Sequence, residues 1–458
     1  MKESIKRGLR DIVGPENFTD KLIDLVSYSY DASSYESRPE CAVWVQSTEQ
    51  VSKILALANE NVVPVTVRGA GTGLGGLAIP ARGGIVVDVT RMNKVLEINI
   101  ADRLAVVQPG VVYADFQAVL EPYGFFFPPD PASGVVCTLG GNIGTNAGGL
   151  RAAKYGTTRD YVLALQAVLA DGEVMRVGAR TMKTSSGYDL CRLLVGSEGT
   201  LAVVTEITLK IKPKASYSCT ALAIFGSIED AGRAVTEVMR SEVTPSVMEL
   251  LDGKVISLLR DHTNIDMPRC EAMLLVETDG LEPKYVRFEL EKVAAILKNC
   301  NVIRLEVART EEDAEALWKA RKSIGGMVGA TGLDCMPEDI TVPMSKIADF
   351  LRGSEELAAQ YGLSLFNFGH VGDGNLHTNV LYDSNDPDQV ARLEKLLFEL
   401  HKLACELGGT LSGEHGIGMS KAPYMPLEHD EVALKVMRTL KKALDPNNIL
   451  NPGKMGLE

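Results

Sequence analysis

The sequence predicts an α+β protein, with a mixed helix-and-strand layer in its first half and an antiparallel sheet layer after it. Three observations lead there. Apolar runs of strand length alternate with helical stripes along the chain. Glycine-rich loops follow strands in the first half and leave no room for a crossover helix. From Cys219 to Val307 the predicted elements run β-α-β-β-α-β, the split motif of an antiparallel sheet.

Taken in order, the first clear unit is Gln46 to Arg68. Ser47 followed by Gln50 is a capping pattern. Val51, Ile54, Leu55 and Ala58 form one helical stripe, and Pro64 to Val67 reads as a strand. That strand runs into RGAGTGLGGL, where Gly71, Gly73 and Gly76 satisfy GxGxxG. The pattern marks a dinucleotide site only when a helix follows at once. Here Pro80, Gly83 and Gly84 precede the strand Ile85 to Val89, so no helix fits. What is left is either a glycine-rich turn or a nest of backbone N–H groups able to hold a diphosphate.

PPDPAS (Pro128 to Ser133), TLGGNIGTNAGG (Thr138 to Gly149) and KYGTTRD (Lys154 to Asp160) follow. Each ends a strand or opens a short helix, and together they imply an extended ligand clamped by main chain. Tyr161 to Asp171 and Val195 to Ile211 continue this layer. The texture changes at Tyr217. Strands are expected at Cys219 to Phe225, Ser246 to Leu251, Met273 to Thr278 and Val302 to Val307, with a short insert near Ile256. Ser227 with Asp230 caps one intervening helix, and a second runs from about Pro283 to Lys298. Helical segments are expected at Glu311 to Met327, Lys346 to Tyr361, Pro387 to Glu406 and Glu431 to Leu444.

The chemistry concentrates around Leu363 to Val380, LSLFNFGHVGDGNLHTNV. Gly372, Asp373, Gly374 and Asn375 favour a four-residue loop between two strands. That loop places His370 directly opposite His377, with Cβ atoms roughly 4.5–5.5 Å apart. Two imidazoles at that distance can share one metal ion. Asn379 falls on the same face. Ser412 to Gly418, SGEHGIG, adds Glu414 and His415, and three of the six histidines lie in these two segments. Neighbours in an extended segment point to opposite sides. One of Glu414 and His415 can therefore complete a site, leaving the other as an acid–base group.

Composition sets bounds on the rest. At 458 residues the chain exceeds a single core. Hydrophobic content of 45% and charged content of 23% are those of a soluble globular protein. A formal net charge of −13 argues against nucleic acid or anionic membrane as partner. Eight dispersed cysteines without CxxC exclude a local zinc ribbon or iron–sulfur run and suit a reducing cytoplasm. The N-terminus MKESIKRGLRDIVG carries no apolar signal region, and no window reads as a membrane span.

RGAGTGLGG, PPDPAS, TLGGNIGTNAGG, GSEGTLAVVTE, GHVGDGNLH, SGEHGIG and DPNNILNPGK occur in the order found in flavoprotein 2-hydroxy-acid dehydrogenases. The sequence resembles the glycolate oxidase subunit and D-lactate dehydrogenase type, within the vanillyl-alcohol-oxidase-like flavin superfamily, over about residues 28 to 455. The resemblance implies a two-subdomain FAD-binding domain at 1–214 and a cap with a ferredoxin-like antiparallel sheet at 215–410. A segment at 411–458 would return to the FAD domain. It implies FAD held by Arg68, Gly69, Gly71, Thr72, Gly73 and Gly76, by Pro129 and Ser133, and by Thr138, Gly140, Gly141, Asn142, Gly144, Thr145, Asn146 and Gly149. Gly156, Glu198, Gly199, Val204 and Asn451 complete that set. Relatives with covalent FAD carry a histidine at the position of Thr72 or a cysteine near Thr138, one residue from Cys137, so non-covalent FAD is expected.

The resemblance also implies a divalent metal on His370, His377 and Glu414, with His415 as base, Arg321 on the substrate carboxylate and Asn379 in contact with substrate. Two imidazoles and one carboxylate suit Zn²⁺, Mn²⁺ or Fe²⁺. A metal lowers the pKa of the substrate hydroxyl, a histidine takes the proton, and hydride passes to flavin N5. Relatives acting on 2-hydroxyglutarate carry a lysine where this chain reads Met336-Pro337-Glu338-Asp339. Acidic residues there favour a short D-2-hydroxy acid, lactate or glycolate, with the D-2-hydroxyglutarate type as the alternative. A further alternative is the catalytic subunit of a larger complex that passes electrons to an electron-transferring flavoprotein or an iron–sulfur subunit, with a homodimer left open as the assembly.

Overall fold

A computed structural model of the chain describes residues 1–262, 268–308, 310–324 and 331–458. The chain divides into two compact units. The first comprises Met1–Gly148, Thr157–Lys214 and Glu414–Glu458, and the second Gly149–Gly156 and Ala215–Gly413. Gly149–Gly156 thus groups with the second unit although both its neighbours in sequence belong to the first.

The first unit carries two larger sheets. In one, Phe18–Thr19, Cys41–Trp44, Ile85–Asp88 and Val65–Arg68 lie side by side, the last three parallel. The helices Glu3–Val13 and Thr48–Glu60 cover it through Ile5, Leu9, Val51, Ile54 and Leu55. Ser47 caps the second helix by accepting from the Gln50 N–H, as its sequence predicts. Residues 69–84 form no helix before Ile85–Asp88 pairs with Val65–Arg68. The proline and glycines there exclude the dinucleotide-fold helix.

The second sheet is antiparallel, in the order Val95–Asn99, Leu104–Val107, Val203–Lys210, Val162–Val168, Val174–Gly178. Phe116, Phe127 and Tyr161 fill its core. The C-terminal residues close the unit. Lys441, in the helix Glu431–Leu444, donates to the carbonyls of Thr200 and Leu450, each at 2.9 Å, and pairs with Asp445. Burial of that lysine is offset because its hydrogen bonds and counter-charge are all internal.

The second unit is one seven-stranded sheet. Its strands are β1 Tyr217–Phe225, β2 Val247–Asp252, β3 Ala272–Gly280, β4 Val302–Val307, β5 Asp334–Thr341, β6 Ser364–His370 and β7 Asn375–Tyr382. They lie in the order β4-β1-β3-β2-β6-β7-β5, every pairing antiparallel. The first four are the expected split motif, extended by the histidine hairpin and β5. The insert near Ile256 is a helix, Gly253–His262, whose start is held by Asp252 Oδ1 accepting from the Val255 N–H at 2.8 Å. Pro337 sits in β5 because this is an edge strand, where a missing N–H costs no ladder bond. The helix Glu311–Lys322 is described, while residues 325–327 of the expected segment lie outside the described residues.

Candidate active site

In the first unit, loops after the strands enclose a cavity of about 480 Å³, lined from residues 67–78, 131–147 and 194–204, with Glu414, His415 and Asn451. Gly69, Gly71, Gly73, Gly140, Gly141, Gly144 and Gly199 are among the residues of its wall. Gly144 lies in the helix Leu139–Thr145, and a Cβ there would meet no atom within 4 Å. Gly140, one turn earlier, is the opposite case: a Cβ would come 2.6 Å from Pro109 Cβ. Asn142 Nδ2 and Asn451 Oδ1 line the cavity, buried, with no hydrogen-bond partner among the described residues.

Glu198 also lines this cavity, at a positive φ of 55°. Its Oε1 accepts from the Ile417 N–H at 2.6 Å and its Oε2 from the Gly418 N–H at 2.9 Å. Its own carbonyl accepts from Asn451 Nδ2 at 2.6 Å. The carboxylate therefore grips the main chain just beyond His415. Burial pushes its pKa up to about 7, and the two backbone hydrogen bonds offset this only in part.

In the second unit the chemistry is made of side chains. Register places Glu249 of β2 opposite His370 of β6, and His377 of β7 opposite both Phe368 and Asp339. Opposed residues share a face, so these groups converge. His370 Nδ1 meets Glu249 Oε1, and His370 Nε2 lies 3.4 Å from His377 Nε2. Arg321 Nε donates to Glu249 Oε2 at 2.6 Å, with its guanidinium 4.7 Å over the Phe368 ring. Burial alone would raise the Glu249 carboxyl. The charges on His370 and Arg321 and their hydrogen bonds override it and hold the pKa at about 2.

The hairpin register differs from expectation. Phe368, not His370, pairs with His377, and the loop is residues 371–374. The pairing is displaced by two residues, and a displacement of two preserves the face. The two imidazoles meet on the diagonal instead of directly across.

Residues 214–455 match the family described as FAD linked oxidases, C-terminal domain, and residues 39–178 match the FAD binding domain family. The chain belongs to the FAD-linked oxidases. It is 41% identical to the glycolate oxidase subunit GlcD of Bacillus subtilis, over 99% of this chain and 97% of that protein. It is 40% identical to a D-lactate dehydrogenase of Archaeoglobus fulgidus, over 89% of each. Among solved structures, p-cresol methylhydroxylase superposes with a TM-score of 0.82 at 18% identity, covering 99% of this chain and 96% of the other. The fold is that of vanillyl-alcohol-oxidase-type flavoproteins, and the protein is an FAD-dependent oxidoreductase.

The cavity residues of this FAD-linked oxidase fit FAD, because glycines line much of the space and two buried amide atoms of its lining residues, Asn142 Nδ2 and Asn451 Oδ1, have no hydrogen-bond partner among the described residues. All the cofactor residues expected from sequence line it except Arg68, Gly76, Pro129, Asn146, Gly149 and Gly156. Arg68 donates to the Tyr30 carbonyl at 2.8 Å, and Asn146 accepts from the Arg159 N–H at 2.8 Å. Gly149 and Gly156 bound the segment that groups with the second unit.

His370, His377, Arg321 and Asn379 belong to the second unit, and Glu414 and His415 to the first. Asn379 is buried, with Nδ2 donating to the His377 carbonyl at 2.9 Å. Glu338 lies on the other face of β5 from Asp339, 3.3 Å from the buried His401. Only Asp339 faces the histidines, so the charge argument for a short substrate rests on Asp339 alone. Glu249 was not expected. The available signal was a carboxylate on the core-facing side of the apolar strand VMELLD, every residue of which is buried.

Proposed function

We propose that this FAD-linked oxidase converts a short D-2-hydroxy acid, lactate or glycolate, to the 2-oxo acid. In this reading His370, His377 and Glu414 hold one divalent ion and FAD is bound non-covalently. The observation that carries it is the pair of buried imidazole nitrogens 3.4 Å apart, one ring held from behind by a carboxylate. The names of the relatives, a glycolate oxidase subunit and a D-lactate dehydrogenase, support the same substrate class. When bound, FAD supplies a two-electron acceptor and a divalent ion supplies Lewis acidity at the substrate hydroxyl. Arg321 binds and orients the substrate carboxylate, Asn379 contacts the substrate, and His415 takes the hydroxyl proton. Thr72 stands where relatives with covalent FAD carry a histidine, and burial pushes the Cys137 thiol up, away from thiolate, which supports non-covalent FAD.

Anaerobic addition of D-lactate or glycolate should bleach the flavin band, and exhaustive chelation should abolish that bleaching while FAD stays bound. Zn²⁺ or Mn²⁺ should restore it. Metal-free protein that is reduced at the normal rate would sink the metal assignment. The word subunit in the name of the Bacillus relative favours a protein acceptor, an electron-transferring flavoprotein or an iron–sulfur partner. Turnover with a soluble flavoprotein acceptor, compared with oxygen and a quinone analogue, tests this. Among the described residues no helix is long and apolar enough to cross a membrane.

A further inference from the structure

Glu249 sits at the centre of β2 with no exposed surface. A carboxylate there is tolerated only when both oxygens are matched, because an unpaired buried charge is costly. The match is divided between two groups of different roles. Register sets Glu249 opposite His370, and Oε1 meets Nδ1 of that ring. Oε2 accepts from Arg321 Nε at 2.6 Å, brought in on the helix Glu311–Lys322.

Two consequences follow. A carboxylate on Nδ1 makes that nitrogen the donor, so in the neutral ring, the form that can hold a metal ion, Nε2 keeps its lone pair and presents it toward His377 Nε2 at 3.4 Å. A guanidinium is a rigid planar fork. With Nε spent on Glu249 and one face on the Phe368 ring at 4.7 Å, Arg321 has its Nη edge as the edge that can take an anion side by side. One buried carboxylate thus orients an imidazole and an anion anchor on the same face of the sheet.

We propose that Glu249 is a positioning residue that ties the anion anchor Arg321 to the ligand histidine His370. It touches neither substrate nor metal and acts through both. This rests on the functional reading above, which gives His370 the metal and Arg321 the substrate carboxylate.

The test measures Zn²⁺ affinity by chelator competition and oxalate affinity by calorimetry, on FAD-loaded wild type, Glu249→Gln and Glu249→Asp. Glu249→Gln keeps the shape and loses the charge. Its Zn²⁺ affinity should fall 10–100-fold, the usual effect of removing the group behind a ligand histidine. Its oxalate affinity should fall by about tenfold or more, with FAD content unchanged, since the Arg321 fork is no longer held by a charge-assisted bond. Glu249→Asp keeps the charge but shortens the reach. It should lose one affinity by about tenfold or more, and it stands in if the Gln variant does not fold. A lower melting temperature with both affinities within twofold of wild type, in either folded variant, reduces Glu249 to a structural role and overturns the proposal. So does a Gln variant in which only one affinity changes. Wild type that binds neither Zn²⁺ nor oxalate overturns the functional reading itself, before any variant is compared.

Discussion

Glu198 in the first unit and Glu249 in the second are both buried, yet burial prevails in one and is overridden in the other. Glu198 is pushed up to about 7 by burial, against two backbone N–H donors. Glu249 is held at about 2 because Arg321 and His370 bring positive charge to its two oxygens. The contrast extends to the surroundings. The oxygens of Glu198 meet backbone N–H groups, whereas those of Glu249 meet the charged side chain of Arg321 and the His370 ring. Backbone dipoles offset part of a desolvation cost, and nearby full charges can exceed it. Of these two carboxylates, Glu198 is therefore the one that pH near neutrality should reach.

The largest effect is expected at His415, the proposed base. His415→Asn should lower kcat by about 10²–10⁴-fold, with bound metal near wild type, and should remove the acidic limb of the pH–rate profile. Glu414→Gln should instead lower metal content. Measured metal stoichiometry in the two variants decides it, and the reverse pattern would exchange their roles.

Glu198 gives the next effect. An acid whose folded pKa exceeds its unfolded value binds its proton more tightly when folded. That contribution is complete below a pH of 4.5 and is lost as pH rises through about 7. The shift corresponds to about 3 kcal/mol. Urea midpoints across that window should fall with pH more steeply in wild type than in Glu198→Gln. Parallel curves would mean that the two backbone donors hold Glu198 ionised throughout.

The smallest effects separate two glycines of one helix. Gly140→Ala brings a methyl onto Pro109 and should cost about 1–3 kcal/mol in stability. Gly144→Ala meets nothing, so the FAD-free protein should gain up to about 1 kcal/mol from helix propensity while FAD affinity falls. Thermal melts with and without FAD read both. An unchanged FAD affinity in Gly144→Ala would place the cofactor elsewhere.

Much of this was legible along the chain because it depends on neighbours in sequence. Ser47 and Ser227 cap helices through their own next turn. Pro80 with Gly83 and Gly84 bars a helix locally, and the Pro387–Glu406 and Glu431–Leu444 helices begin and end where their sequence indicates. The shared face of His370 and His377 follows from strand periodicity, which survives a pairing displaced by two.

Tertiary structure decided what depends on which strand lies beside which. VMELLD carries no mark of its partner, and only the β2–β6 register sets Glu249 against His370. Glu338 and Asp339 look equivalent in sequence, yet β5 turns one toward His401 and the other toward His377. Local steric rules and hydrogen bonds act over a few residues and are written in the chain. The field around a buried charge is set by groups far away in sequence, and those distances exist only once the sheet has formed.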